Sequence, residues 1–166
     1  MASAVVTLAG RPPAGPKILV VDDIPENLVV VKSVLAQIDA EIVCVASGHE
    51  ALARLRKDKY ALVLLDVMMP QANGFQVVEA LRADPLTANT PVVFVTGYPR
   101  VDLGTEAYRL GAVDFLLKPI DPFILRSKVQ VYLDLDRNLK EADRRRLTEL
   151  QNQASQRTPL LIDFVA

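Results

Sequence analysis

The chain has only one cysteine, Cys44, so no internal disulfide holds it together. The residue lies in the apolar alternation EIVCVA, which makes it a small core side chain and suits a reducing, cytoplasmic setting. Net charge is nearly absent, at −1, so no global field recruits nucleic acid or an anionic membrane. Long apolar runs are missing too: none approaches the roughly 18 residues of a membrane span. The first stretch, MASAVVTLAGRPPAGP, has an apolar patch with no basic residue ahead of it. It reads as a loose leader over residues 1–16 and not as a signal peptide. Histidine is as scarce as cysteine. His49 lies inside Ser47-Gly48-His49-Glu50, the form of a capping box, and is expected as a solvated first-turn residue and not as a ligand. No helix-turn-helix, nucleotide-cyclase signature or kinase motif follows residue 120.

What is present is hydrophobic. Such residues make up 51% of the chain, which argues against disorder and for one domain with appendages. The central stretch is YALVLLDVMMPQANG, residues 60–74. An apolar run from Tyr60 to Leu65 stops at the carboxylate of Asp66, with Pro70 and Gly74 marking a loop beyond. Continuous apolar runs of this length suit strands buried on both faces of a parallel sheet. Ligands bind at the carboxyl edge of such sheets.

The same pattern recurs along the chain. KILVVDD, residues 17–23, ends in Asp22 and Asp23, and Pro25 then opens a helix in which Val29, Val30, Val34, Leu35 and Ile38 recur at helical spacing. EIVCVA is a short strand, and the helix capped by Ser47 and Glu50 carries Ala51, Leu52 and Leu55 on one face. Asn73-Gly74 makes a turn before a helix over Phe75–Ala83. PVVFVTG, residues 91–97, is a strand ending in Thr96; a weaker helix over Leu103–Leu110 follows; VDFLLKP, residues 113–119, ends at Lys118. Strands alternating with helices predict an α/β fold, a doubly wound five-stranded parallel sheet.

From Pro122 the chain reads as helix to about residue 154, with Leu125, Val129, Tyr132 and Leu133 placed to pack on the sheet. Beyond them Leu135, Leu139, Ala142, Leu147, Leu150 and Ala154 continue an apolar stripe, a heptad-like seam with one irregular step. A stripe of this kind implies a partner, and a homodimer through residues 122–154 is expected. Arg144-Arg145-Arg146 lacks flanking aromatics and reads as a solvated face, with no direct nucleic-acid contact.

Asp22, Asp23, Asp66, Thr96 and Lys118 share one position, the carboxyl end of an apolar strand, and so one edge of the sheet. Close carboxylates repel by on the order of 4 kcal/mol per pair at an effective dielectric near 20. A hard divalent cation with oxygen ligands, Mg²⁺ above all, answers that repulsion and leaves room for a phosphoryl oxygen. Lys118 adds a compact charge and Thr96 a hydroxyl. The set suits accepting a phosphoryl group on a carboxylate.

With VVDD, LLDVMMPQANGF, PVVFVTG and GAVDFLLKP in order over residues 17 to about 133, the chain resembles the response-regulator receiver domains of two-component signalling, the CheY-like superfamily. The resemblance implies a flavodoxin-like fold with strand order 2-1-3-4-5. It implies that Asp66 is the phosphoacceptor, that Asp23 and Asp66 ligate Mg²⁺ directly, that Asp22 acts through water, and that the Met68 backbone carbonyl is a further ligand. Thr96 and Lys118 would hold phosphoryl oxygens, and Phe115, otherwise as easily a core residue, would be the switch aromatic. A sensor histidine kinase or histidine phosphotransfer protein would supply the phosphoryl group, and the chain would catalyse at most its own phosphorylation and dephosphorylation. Asn73 stands where the family usually has Asp, and either residue tolerates that turn.

Two alternatives stand beside this reading. A pseudo-receiver would keep the fold as an interaction module without phosphorylation, against the intact set of five polar residues. A phosphatase of the haloacid-dehalogenase type needs a second Asp two residues after the nucleophile, where this chain has Met68. The expected division is a leader over 1–16, a receiver over 17–133, a helical extension over 134–154 and an irregular tail over 155–166. The output lies in that extension or in a longer protein of which this chain is a part. The KPIDPFILRSKV ending resembles receivers attached to kinase or cyclic-dinucleotide modules.

Overall fold

The computed structural model describes residues 15–97, 105, 109, 111 and 114–157. The chain divides into two compact units, Met1–Tyr132 and Leu133–Ala166.

In the first unit, five strands form a sheet in the order β2-β1-β3-β4-β5, and every pairing is parallel. They are β1 (Lys17–Val21), β2 (Glu41–Val45), β3 (Leu62–Asp66), β4 (Val92–Thr96) and β5 (Asp114–Leu117). The three inner strands are the three with unbroken apolar runs, and apart from Lys17 every residue in them is buried. Outer strands β2 and β5 are half-exposed, which is why their sequences mix Glu41, Cys44 and Asp114 with aliphatics. The expected flavodoxin-like order is the one observed.

The described helices between the strands are α1 (Pro25–Val34), α2 (Gly48–Lys57) and α3 (Gly74–Ala83). Pro25 occupies the first turn of α1, where its missing N–H costs nothing. The buried positions of this helix region are Val31 and Leu35, while Val29 and Val30 are 68% and 54% exposed. Three consecutive valines fit more than one helical face, and the face spaced four from Leu35 is the one that packs. In α2, Ala51 and Leu55 are buried and Leu52 packs against the core as expected. Its cap differs in one detail: Ser47 Oγ accepts the Glu50 N–H at 3.2 Å, but Glu50 reaches back to the N–H of Ala46 and not to that of Ser47.

Asn73 and Gly74 begin α3 instead of forming a turn ahead of it. Asn73 Oδ1 accepts the Gln76 N–H, and Gln76 Oε1 accepts the Asn73 N–H, each at 3.0 Å, a reciprocal capping box. Gly74 is packed hard under the end of β3. A Cβ there would lie 2.6 Å from the Asp66 carbonyl oxygen and 2.9 Å from Val67 Cα. Phe75 meets Phe94 of β4 edge to face, with centroids 5.2 Å apart. At the other end of α3, the Arg82 guanidinium donates to the carbonyls of Ala88, Thr90 and Gly111 at 2.7, 2.7 and 2.8 Å.

The helix α4 (Pro122–Arg157) starts on Asp121, whose Oδ1 accepts the N–H groups of Phe123 and Ile124 at 2.8 and 3.1 Å. Leu125, Val129, Tyr132 and Leu133 are buried, as their spacing predicts. Asp114 of β5 accepts Lys128 Nζ at 2.6 Å and the Tyr132 hydroxyl at 3.3 Å, which fastens the start of α4 to the outer strand. In the second unit Leu135, Leu139, Leu147 and Leu150 are 47–60% exposed, and Asp134–Arg137 and Asp136–Lys140 pair along the helix. No helix of the described residues is long and apolar enough to cross a membrane. The expected helix over Leu103–Leu110 falls outside the described residues, except at Thr105 and Arg109, and so do residues 1–14 and 158–166.

Candidate functional site

Register places the site. Val21 of β1 pairs with Leu65 of β3, so the next residues along, Asp22 and Asp66, leave the sheet at the same level. Asp66 pairs with Val95 and Thr96 with Leu117, so Thr96 and Lys118 emerge beside them. The Lys118 N–H donates to the Thr96 carbonyl at 2.7 Å, and the Lys118–Pro119 peptide is cis.

Four of the expected side chains meet. Asp22, Asp23 and Asp66 each present an oxygen within 4.8 Å of the others. Lys118 Nζ lies 3.1 Å from Asp22 Oδ2 and 3.5 Å from Asp66 Oδ2. Asp22 and Asp66 are buried, and Thr96 is fully so. Burial pushes the Asp66 carboxyl above its ordinary range, with the charge of Asp22 adding to the push and Lys118 and the Met68 N–H opposing it. The N–H of Met68 donates to Asp66 Oδ1 at 3.2 Å, so its observed bond is through nitrogen, and its side chain is exposed. Phe115 pairs with Phe94 in the sheet and packs, half-buried, against the core.

The group of oxygens fits a divalent cation on its own chemistry. Every donor is a hard oxygen, and the cluster holds more negative charge than Lys118 balances. Asp23 Oδ1 is buried with no hydrogen-bond partner, which is an expensive state for a carboxylate and one a cation relieves.

One contact was not legible in the sequence. Asn27 of α1 donates from Nδ2 to Asp22 Oδ2 at 3.1 Å, the same oxygen that Lys118 holds. The two residues are five apart across a helix start, and no spacing rule joins them.

Comparison with known proteins agrees with this geometry. Residues 18–130 match the response regulator receiver domain family. The "Probable cyclic di-GMP phosphodiesterase" of Vibrio cholerae is 36% identical over 121 residues, covering 73% of this chain and 27% of that protein. "Response regulator PleD" of Caulobacter vibrioides is 39% identical over 114 residues, covering 69% of this chain and 25% of that protein. Among solved structures, the chemotaxis protein CheY4 of Vibrio cholerae superposes with a TM-score of 0.68 at 31% identity, over 72% of this chain and 99% of that one. The chain belongs to the response regulator receiver domain family, whose domains are phosphorylatable signalling switches of two-component systems and are generally not classed as enzymes. It spans about a quarter of the length of those two curated relatives.

Proposed function

We propose that Asp66 is the phosphoacceptor of this receiver. The observation that carries the reading is Lys118 Nζ, within 3.1 Å of Asp22 and 3.5 Å of Asp66, a cation placed where phosphoryl charge would arrive. An Asp66 oxygen attacks the donor phosphorus in line, forming the new O–P bond as the bond to the leaving group breaks. Lys118 and the Thr96 hydroxyl hold the phosphoryl oxygens. Asp23 and Asp66 with the Met68 carbonyl would ligate Mg²⁺ directly and Asp22 through water; when bound, the ion neutralises the carboxylates and draws a phosphoryl oxygen to the site. Thr96, drawn toward the acyl phosphate, and Phe115 of β5 then bias the surface beyond β4 and β5.

Incubation of the full chain with Mg²⁺ and acetyl phosphate should add one phosphoryl group by intact mass. Asp66→Asn should abolish the adduct. An unmodified wild type, or an undiminished adduct on the variant, refutes the assignment.

The protein donor in this reading is a sensor histidine kinase or histidine phosphotransfer protein, the partners of the family, for which acetyl phosphate substitutes in the test. The working division is a leader over 1–16, a receiver over 17–133, an extension over 134–154 and a tail over 155–166; the receiver boundary is supported by the compact unit ending at Tyr132. The exposed Leu135, Leu139, Leu147 and Leu150 support a homodimer through the extension, since a leucine-rich helix face gains its stability from packing. Light scattering at high micromolar concentration should give a dimer for the full chain and a monomer for a version ending at Asp134. Two monomers rule the dimer out.

A further inference from the structure

One oxygen at this site has two donors. Asp22 Oδ2 accepts both Lys118 Nζ and Asn27 Nδ2, each at 3.1 Å, while Asp22 Oδ1 is occupied by the Ile24 N–H at 2.9 Å. Asp22 is only 5% exposed, so bulk solvent does little for its charge. For Lys118 to meet a phosphoryl oxygen on Asp66, it must loosen its hold on Asp22. A buried carboxylate stripped of its donor is destabilised far more than the bond was worth. Asn27 prevents that loss. It sits in the first turn of α1 behind Pro25, on a backbone that the proline pre-sets, and it keeps donating to Asp22 when the lysine leaves. As a neutral donor it adds no second cation to compete for the phosphoryl group.

We propose that Asn27 is a positioning residue for phosphoryl acceptance, holding Asp22 in place so that Lys118 is released to the phosphoryl group. The inference rests on the assignment of Asp66 above. Asn27 acts through Asp22 and Lys118, so its signature is a change in rate at saturating metal and not a weaker hold on the metal.

The test uses the full chain with acetyl phosphate, following initial phosphorylation by intact mass across a Mg²⁺ titration. Asn27→Ala should lower the rate at saturating Mg²⁺ about tenfold, the effect of one hydrogen bond to a charged group, with half-saturation shifted by less than about twofold. Asn27→Asp should be slower still, because it turns the donor into a carboxylate facing Asp22. Asn27→Ser, which keeps a shorter donor, should recover part of the rate. A wild-type rate for Asn27→Ala at saturating Mg²⁺, a loss confined to Mg²⁺ half-saturation, or an Asn27→Asp variant faster than Asn27→Ala each overturns the proposal. Should Asn27→Ala not fold by circular dichroism, Asn27→Ser must still outpace Asn27→Asp, and the reverse order refutes it. A wild type that takes up no phosphoryl group overturns the Asp66 assignment as well; a modified wild type matched by Asn27→Ala overturns this inference alone.

Discussion

Replacing Gly74 by alanine tests how closely the loop after β3 is built. The added Cβ would lie 2.6 Å from the Asp66 carbonyl oxygen, 2.9 Å from Val67 Cα and 3.1 Å from Phe94 Cε1. A carbon and a carbonyl oxygen in contact settle at roughly 3.3–3.6 Å, so the chain must open by about 0.7–1 Å. The first two obstacles are backbone, and the end of a buried central strand has no rotamer to turn. Overpacking of this kind costs about 1–3 kcal/mol, and the rigid obstacles place Gly74 near the top of that range. Alanine returns about 0.4–1 kcal/mol by restricting the unfolded chain. The net loss is about 2 kcal/mol, or a fall of roughly 6–10 °C in Tm for a unit of this size. Thermal unfolding followed by circular dichroism measures it. Because the displaced atom belongs to Asp66, the acetyl phosphate reaction should slow in the same variant. A Tm within about 2 °C of wild type would show that the loop yields without strain and that the close approach is not a constraint.

Asp23→Ala should weaken Mg²⁺ binding, read by calorimetry, by more than the roughly 10–100-fold that loss of an outer-shell partner costs. Its Tm in metal-free buffer should hold or rise slightly, since one of three crowded carboxylates is gone; identical Mg²⁺ titrations refute the metal assignment. Burial works against the charge of Asp114, but hydrogen bonds from Lys128, the Phe115 N–H and Tyr132 outweigh it and hold the carboxyl below its ordinary range. A carboxylate depressed on folding adds stability that is present above its unfolded value and lost as pH falls through its folded one. Asp114→Asn should therefore be less stable than wild type by about 1 kcal/mol at neutral pH, with the gap closing in acid. A gap that ignores pH refutes the charge-based account.

The sheet was legible because burial on both faces leaves a simple trace. β3 and β4 are unbroken apolar runs that stop at Asp66 and Thr96, and a parallel register then carries their ends to one edge. Phosphate chemistry followed from what stood at that edge. The face of α1 was less legible, since Val29, Val30 and Val31 satisfy several periodicities at once and only the tertiary packing of the helix selects Val31 for burial. Gln76 was missed as a cap partner, although Asn73 three residues before it carried the signal. Asn27 left no comparable trace: its contact depends on how the chain turns between Asp22 and α1.

Arg82 carries a hidden consequence for engineering. By position it is an ordinary basic residue in the last turn of α3, the sort that a surface redesign exchanges freely for lysine or glutamine. Its guanidinium instead ties two carbonyls of the nearby segment before β4, those of Ala88 and Thr90, to that of Gly111, 29 residues away, and burial lowers its pKa. A planar fork can serve three acceptors at fixed angles, whereas an ammonium on a flexible stem cannot hold the same arrangement. Charge-conserving libraries that treat Arg82 as tolerant will therefore lose members there, and a deep mutational scan should find it among the least permissive half-exposed positions of the domain.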